Sequence, residues 1–265
     1  MARTPEKKPT TWLLIRGMIR GCFHWHQFPQ RLQQAFPDDQ IICLDIAGNG
    51  ARYAETTPAS IESIAADLAN QLRLTEQIKP IDKQHLNIIA ISMGGMIACD
   101  LIRNHLPDHK IDSLHLINTS FANLSLPWQR MQAQAFFSFI PKVMTPGRRE
   151  QAILNWTSNS ETSEQRLQQW IKEAEQHPLQ LKNAIAQVLA AGRYPAPRNN
   201  PIEHTFIYCS KNDRLVSPEC SKKLAKHWGL PVLWHDRAGH DLPLDDPDWL
   251  VTAISKNYQE CGSTA

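Results

Sequence analysis

The chain has 265 residues, enough for one large domain with an insertion, and its 42% hydrophobic and 20% charged content suits a globular protein. A net charge of +2 is too small for a nucleic-acid binder, and no apolar run is long enough to span a membrane. The six cysteines are scattered through apolar runs, which argues for reduced core thiols in a cytoplasmic protein rather than a disulfide framework. Residues 1–10 are charged and lack the apolar stretch of a secretory signal, so none is expected. The eleven histidines show no metal-ligand spacing, and neither a metal nor a cofactor is expected.

Residues 11–15 (TWLLI) predict a first strand, followed by the glycine-punctuated loop Arg16-Gly17-Met18-Ile19-Arg20-Gly21 and a helix over about 25–35. His24 and His26 flank Trp25, but no third ligand accompanies them, so loop packing is their expected role. Residues 40–44 predict a second strand ending at Asp45, before the turn Ile46-Ala47-Gly48-Asn49-Gly50. Asp45 is read as a structural acceptor for the N–H groups of that turn. Ser60 is placed to cap a helix whose apolar face is Ile61, Ile64, Ala65, Leu68 and Leu72.

The stretch Leu86-Asn87-Ile88-Ile89-Ala90-Ile91-Ser92-Met93-Gly94-Gly95 reads as a buried strand, a sharp turn and the start of a helix, with a serine at the corner. A serine hydroxyl is a weak nucleophile. It needs exposure, a base and nearby N–H donors, and a strand-to-helix corner offers all three at a positive helix end. Cys99 lies well inside the following helix and is expected to be buried. Residues 113–118 (SLHLIN) predict the next strand, with His115 packed.

From 121 to about 194 no strand-like alternation occurs, and four helices fit: about 128–139, 148–156, 163–177 and 179–191. The βα rhythm then resumes. A strand over 203–209 runs into Asn212-Asp213-Arg214-Leu215, a helix follows, and a strand over 231–235 runs into Arg237-Ala238-Gly239-His240-Asp241 before a last helix from about Pro247. Successive βα units imply about six mostly parallel strands with helices on both faces.

The corner Ala90-Ile91-Ser92-Met93-Gly94 resembles the nucleophile elbow G-x-S-x-G of the α/β-hydrolase family, with Ala90 at the first glycine. The likeness covers nearly the whole chain. Asp45 to Gly50 looks like the family's D-x-x-G-x-G turn, with Asn49 where histidine is common, and Arg16 stands where a histidine usually precedes the loop glycine. The resemblance implies an α/β-hydrolase fold, with a core from 1–120 and 195–265 and an inserted helical cap over 121–194. It implies the triad Ser92, Asp213 and His240, in the chain order this fold uses, with the N–H groups of Met18 and Met93 as the oxyanion hole. Asp236 and Asp241 also flank the histidine, but a neighbour in sequence is badly placed to reach its far-side nitrogen. The short stretch before the first strand leaves little room for the family's leading hairpin, so a shortened sheet is expected.

Three activities remain open: a carboxylesterase, a hydrolase or lyase of C–C bonds or thioesters in small metabolites, and a non-catalytic ligand binder. Within the first, the layout resembles the pimeloyl-acyl-carrier-protein methyl ester esterases of biotin synthesis, which implies a small acyl ester presented by an acyl carrier protein. Trp25, Phe121, Trp128, Phe137 and Leu215 are the expected acyl-pocket residues. Residues 113–149 hold no Asp or Glu, and Arg130, Lys142, Arg148 and Arg149 are expected to face outward toward an acidic carrier.

Overall fold

The computed structural model describes residues 10–78, 85–139, 142, 145–161 and 164–262. Six strands form one wholly parallel sheet: β1 (Thr11–Ile15), β2 (Gln40–Leu44), β3 (Leu86–Ile91), β4 (Ile111–Ile117), β5 (Thr205–Ser210) and β6 (Val232–His235), in the order β2-β1-β3-β4-β5-β6. The expected count of six holds among the described residues, and the sheet carries no antiparallel member there.

Side chains alternate along each strand, so each strand feeds two cores. Leu13, Ile15, Leu86, Ile88, Ala90, Leu114 and Leu116 face one side, where α2 (Ile61–Ile78) and α3 (Met93–Asn104) pack. Trp12, Leu14, Ile89, Ile91 and Ile117 face the other, against α1 (Phe28–Ala35) and the last helix, α11 (Pro247–Gly262). The strand order explains the split. The chain steps outward from β1 to β2 and then back across β1 to β3, and right-handed crossovers in opposite directions lie on opposite faces. As expected, Ser60 Oγ accepts the Ser63 N–H at 3.2 Å, and the predicted apolar face of α2 is wholly buried.

Among the described residues, five α-helices lie between β4 and β5: α4 (Pro127–Arg130), α5 (Ala133–Phe139), α6 (Pro146–Thr157), α7 (Glu164–Gln176) and α8 (Leu181–Arg193). The predicted helix over 128–139 is two helices, because the Gln132 N–H is drawn off to the Leu215 carbonyl at 2.9 Å. The predicted helix over 25–35 starts later. Residues Cys22–Trp25 form a 3₁₀ turn, His26 sits at φ 52°, and Pro29 opens α1. Two helices finish the sheet edge: α9 (Glu219–Trp228), and the short α10 (Leu242–Asp245), which periodicity did not signal. Cys22, Cys43, Cys99, Cys209 and Cys220 are free thiols, and no helix among the described residues is long and apolar enough to cross a membrane.

His115 illustrates how the sheet handles buried polar groups. Its Nδ1 lies 2.8 Å from the Tyr208 hydroxyl and its Nε2 lies 2.9 Å from Ser113 Oγ, whose own proton goes to Asn87. Asn257 donates to the Tyr208 oxygen at 2.8 Å, so the tyrosine donates to Nδ1 and the imidazole is neutral with its proton on Nε2. Burial pushes the histidine down to about 3. The unfolded chain therefore binds the proton first, and stability is lost as pH falls from about 6.5 toward 3. We expect His115 to remove about 2 kcal/mol between pH 7 and pH 5, read as a lower urea midpoint. His24, also held well below its ordinary value by burial and by Arg20 and Arg16, acts in the same direction. His115→Asn should flatten the pH 7 to pH 5 slope. An unchanged slope would contradict the assignment.

Candidate active site

Parallel registry aligns the C-terminal strand ends: Ile15 pairs with Ala90, Ile91 with Ile117, Ile117 with Tyr208, and Ser210 with His235. The loops after β1, β3, β4, β5 and β6 thus share one edge, where open α/β sheets bind ligands.

Ser92 occupies the corner between β3 and α3 at φ 58° and ψ −125°, a conformation that non-glycine residues rarely hold. The turn is sharp because the strand, the corner and the β1 loop are tightly packed. A Cβ on Gly94 would sit 2.5 Å from the Ile15 carbonyl oxygen and 2.6 Å from that of Arg16, so only glycine fits. The Ser92 carbonyl is held by the Gly95 N–H at 3.0 Å and the Thr119 hydroxyl at 2.7 Å, which leaves a half-buried hydroxyl at the surface of the corner.

Asp213 and His240 meet across the loops after β5 and β6. Asp213 Oδ2 accepts from His240 Nδ1 at 2.7 Å, and both residues are buried. Asp213 Oδ1 accepts the N–H groups of Leu215 and Val216 at 2.8 and 2.9 Å, so both carboxylate oxygens are committed. Asp45 instead accepts from Cys22 and Ala51, the structural role expected of it, and Asp236 is exposed beside Lys211. Among the described residues, Ser92 and His240 are not hydrogen-bonded to each other. No described acceptor takes the N–H of Met18 or Met93. Met93 is the first residue of α3, where an N–H has no partner within the helix. Gly17, just before Met18, packs against Ser92, its Cβ position lying 3.0 Å from that of the serine.

Three supporting residues escaped the sequence reading. Asn118, at φ 47° after β4, donates to the His240 carbonyl at 2.8 Å and accepts the Ser210 N–H at 2.9 Å, tying three strand ends together. The polar run Asn118-Thr119-Ser120 closing an apolar strand was its only signal. Arg16 forms a buried pair with Asp241, with Nη1 to Oδ1 at 3.0 Å and Nη2 to Oδ2 at 2.7 Å.

The helical insertion is tied to these loops on two sides. At the end of α6, the Thr157 carbonyl accepts the Asp241 N–H at 2.7 Å, and Arg214 donates to the Ser158 carbonyl at 2.8 Å. On α8, Gln187 donates to Asn49 at 2.8 Å and accepts the Ile19 N–H at 2.7 Å. A buried ion pair joins Arg20 to Glu150 of α6 at 2.7 Å. A small cleft opens beside it, lined by Arg20, His24, Asn49, Glu150 and His177 among others. A broader depression includes Asp213, Arg214 and Asn159, and neither is lined by Ser92.

Several expected pocket and docking residues lie elsewhere. Trp128 and Phe137 are exposed, at 61% and 68%, and do not point inward. Trp25 and Phe121 are core residues. Trp25 stacks on Phe28 with centroids 5.4 Å apart, and Phe121 packs against Tyr194 and Trp228. Leu215 is half-buried between Asp213 and Gln132. Arg149 does not face outward: it is buried and paired with Glu150 at 3.0 Å, because α6 turns that side onto the core. Arg130 spends its guanidinium on the carbonyls of Ala191 and Gly192, which close α8. Arg148 is exposed and Lys142 half-buried. No group of three metal-ligating side chains exists among the described residues.

A parallel sheet carrying a strained serine at a strand–helix corner, with an Asp–His pair at the same edge, is the architecture of α/β hydrolases. The family model for the alpha/beta hydrolase family matches residues 13–253, and the chain belongs to that family. Similar solved structures include an esterase from Exiguobacterium antarcticum (TM-score 0.71, 13% identity, 95% of this chain and 92% of that one). A 2-hydroxy-6-oxo-6-phenylhexa-2,4-dienoate hydrolase from Rhodococcus sp. strain RHA1 matches with TM-score 0.71 and 16% identity, over 95% and 91% of the two chains. A thermophilic esterase from Thermogutta terrifontis matches with TM-score 0.65 and 19% identity, over 96% and 91%. No curated protein sequence matches the chain significantly.

Proposed function

We propose that the chain is a serine hydrolase that cleaves carboxylic esters through an acyl-enzyme. The observation that carries this reading is the 2.7 Å Asp213–His240 bond at the sheet edge where Ser92 stands in its strained corner. In this reading His240 Nε2 takes the Ser92 proton as the hydroxyl attacks the ester carbonyl. The free N–H groups of Met18 and Met93 receive the developing oxyanion, and His240 returns the proton to the leaving alcohol. Water then repeats the sequence on the acyl-enzyme. Asp213 holds the proton on His240 Nδ1 and stabilises the imidazolium. A panel of p-nitrophenyl esters of increasing acyl length tests the reading. We expect burst release of nitrophenol and turnover that depends on chain length. A panel with no turnover would overturn it.

Within esters, the finer reading is a methyl ester of an acyl chain carried by an acidic carrier protein, in the cytoplasm. Its support is narrower than the sequence suggested, resting on exposed Arg148 and half-buried Lys142. Arg148→Glu should slow a carrier-linked ester several-fold at low salt and leave a small soluble ester unchanged, since rim charges act on encounter rather than chemistry. Equal rates on both substrates would remove the carrier from the proposal.

A further inference from the structure

We propose that the buried Arg16–Asp241 ion pair is a positioning device that holds the oxyanion loop and the base loop in one register. The inference rests on the ester hydrolase reading and concerns how that site is kept aligned.

Arg16 directly follows β1, and Asp241 directly follows His240. The two side chains meet fork to fork, at 3.0 and 2.7 Å, and are 4% and 3% exposed. Such a pair fixes orientation as well as distance, which a lysine cannot do. Each end is anchored separately. The Arg16 carbonyl lies against Gly94 of the serine corner, and Gly17 lies against Ser92 itself. The Asp241 N–H is held by the Thr157 carbonyl at 2.7 Å. The pair therefore links the serine corner to His240 in one chain of contacts: serine corner, Arg16, Asp241, His240. The donor at Met18 stands two residues from Arg16, and the base stands one residue from Asp241.

The guanidinium also lies 5.0 Å from the Trp25 ring centroid, while Arg16 Nε and the Trp25 indole nitrogen have no partner among the described residues. An apolar pair of similar volume is often as stable as a buried ion pair, so stability alone does not call for this one. Alignment accounts for what stability does not.

The charges around His240 make the idea testable. Asp213 faces it from the loop after β5, and Asp245 of α10 holds the adjacent Gly239 N–H at 2.6 Å. Asp236 and Arg237 lie exposed on its own loop, and His235 is paired with Asp246. Arg16 is joined to the histidine's loop through Asp241, whose field also touches Arg20 and His26. Neutralising Asp241 leaves the Arg16 cation unopposed beside a residue that must become an imidazolium.

Three variants decide the matter: Arg16→Lys, Asp241→Asn and the double Arg16→Met/Asp241→Leu. Each is assayed for kcat, KM and the pH dependence of kcat/KM on the best p-nitrophenyl ester, with melting temperature alongside. We expect Arg16→Lys to lose on the order of 10 to 100-fold in kcat with KM little changed, the cost of a displacement of about 1 Å. Asp241→Asn should move the acid limb of the profile to lower pH. The double variant should melt at or near the parent's temperature and recover the parent's acid limb, yet keep the low kcat. Parental kcat in the double variant, or an acid limb unmoved in Asp241→Asn, would overturn the proposal while leaving the hydrolase reading intact. A double variant that does not fold would make the pair a folding element and overturn it too. A parent chain inert to every ester would overturn the hydrolase reading, and this proposal with it.

Discussion

Replacing Ser92 with alanine should lower ester turnover by at least ~10³-fold, with KM nearly unchanged, because the proposed mechanism has no second nucleophile. The fold should tolerate the change. The hydroxyl is half-buried and takes no part in the packing that shapes the corner, which rests on the Ser92 backbone and on Gly94. Alanine at φ 58° is no less strained than serine, so the variant should melt within a few degrees of the parent. Cys99 offers no rescue. It is fully buried, and burial pushes its thiol up, away from the reactive thiolate. Full activity in Ser92→Ala would mean the chemistry lies elsewhere.

Asp213→Asn should cost roughly 10³ to 10⁴-fold in kcat, for a reason visible in the hydrogen bonds. The Oδ1 site is filled by two backbone donors, the N–H groups of Leu215 and Val216. An asparagine must put its carbonyl oxygen there, because its amide would meet two donors head-on. Its NH₂ then faces His240 Nδ1, which must become an acceptor, and the imidazole proton moves to Nε2. A histidine protonated on Nε2 cannot take the proton from Ser92. The shape is preserved and the tautomer is wrong, so activity should fall while circular dichroism and melting temperature stay close to the parent's. A loss of less than tenfold would say that another group orients His240.

The sheet and most helices were legible because their signals are local. A β-branched apolar run marks β3, and helical spacing marks α2. The meeting of Asp213 with His240 at the edge where Ser92 stands was legible because each falls just after a strand, and the sheet brings strand ends together. What escaped depended on partners far apart in the chain. Arg16 and Asp241 are 225 positions apart, and nothing near either one announces the other. Arg148 and Arg149 are neighbours on α6 about 100° apart, and only the packing of the insertion shows which is buried. Trp128 and Phe137 misled for the opposite reason. A large apolar side chain is usually covered, but much of any folded surface is apolar, and these two contribute to it. The break between α4 and α5 arises from a bond to Leu215, 83 positions beyond Gln132, and so left no local trace.

The most direct measurement is to treat the protein with a fluorophosphonate probe, digest it and locate the adduct by peptide mass spectrometry. The account predicts one adduct, on the peptide carrying Ser92, formed at a rate that collapses in His240→Ala. An adduct on any other residue, or labelling of Ser92 that is indifferent to His240, would contradict it.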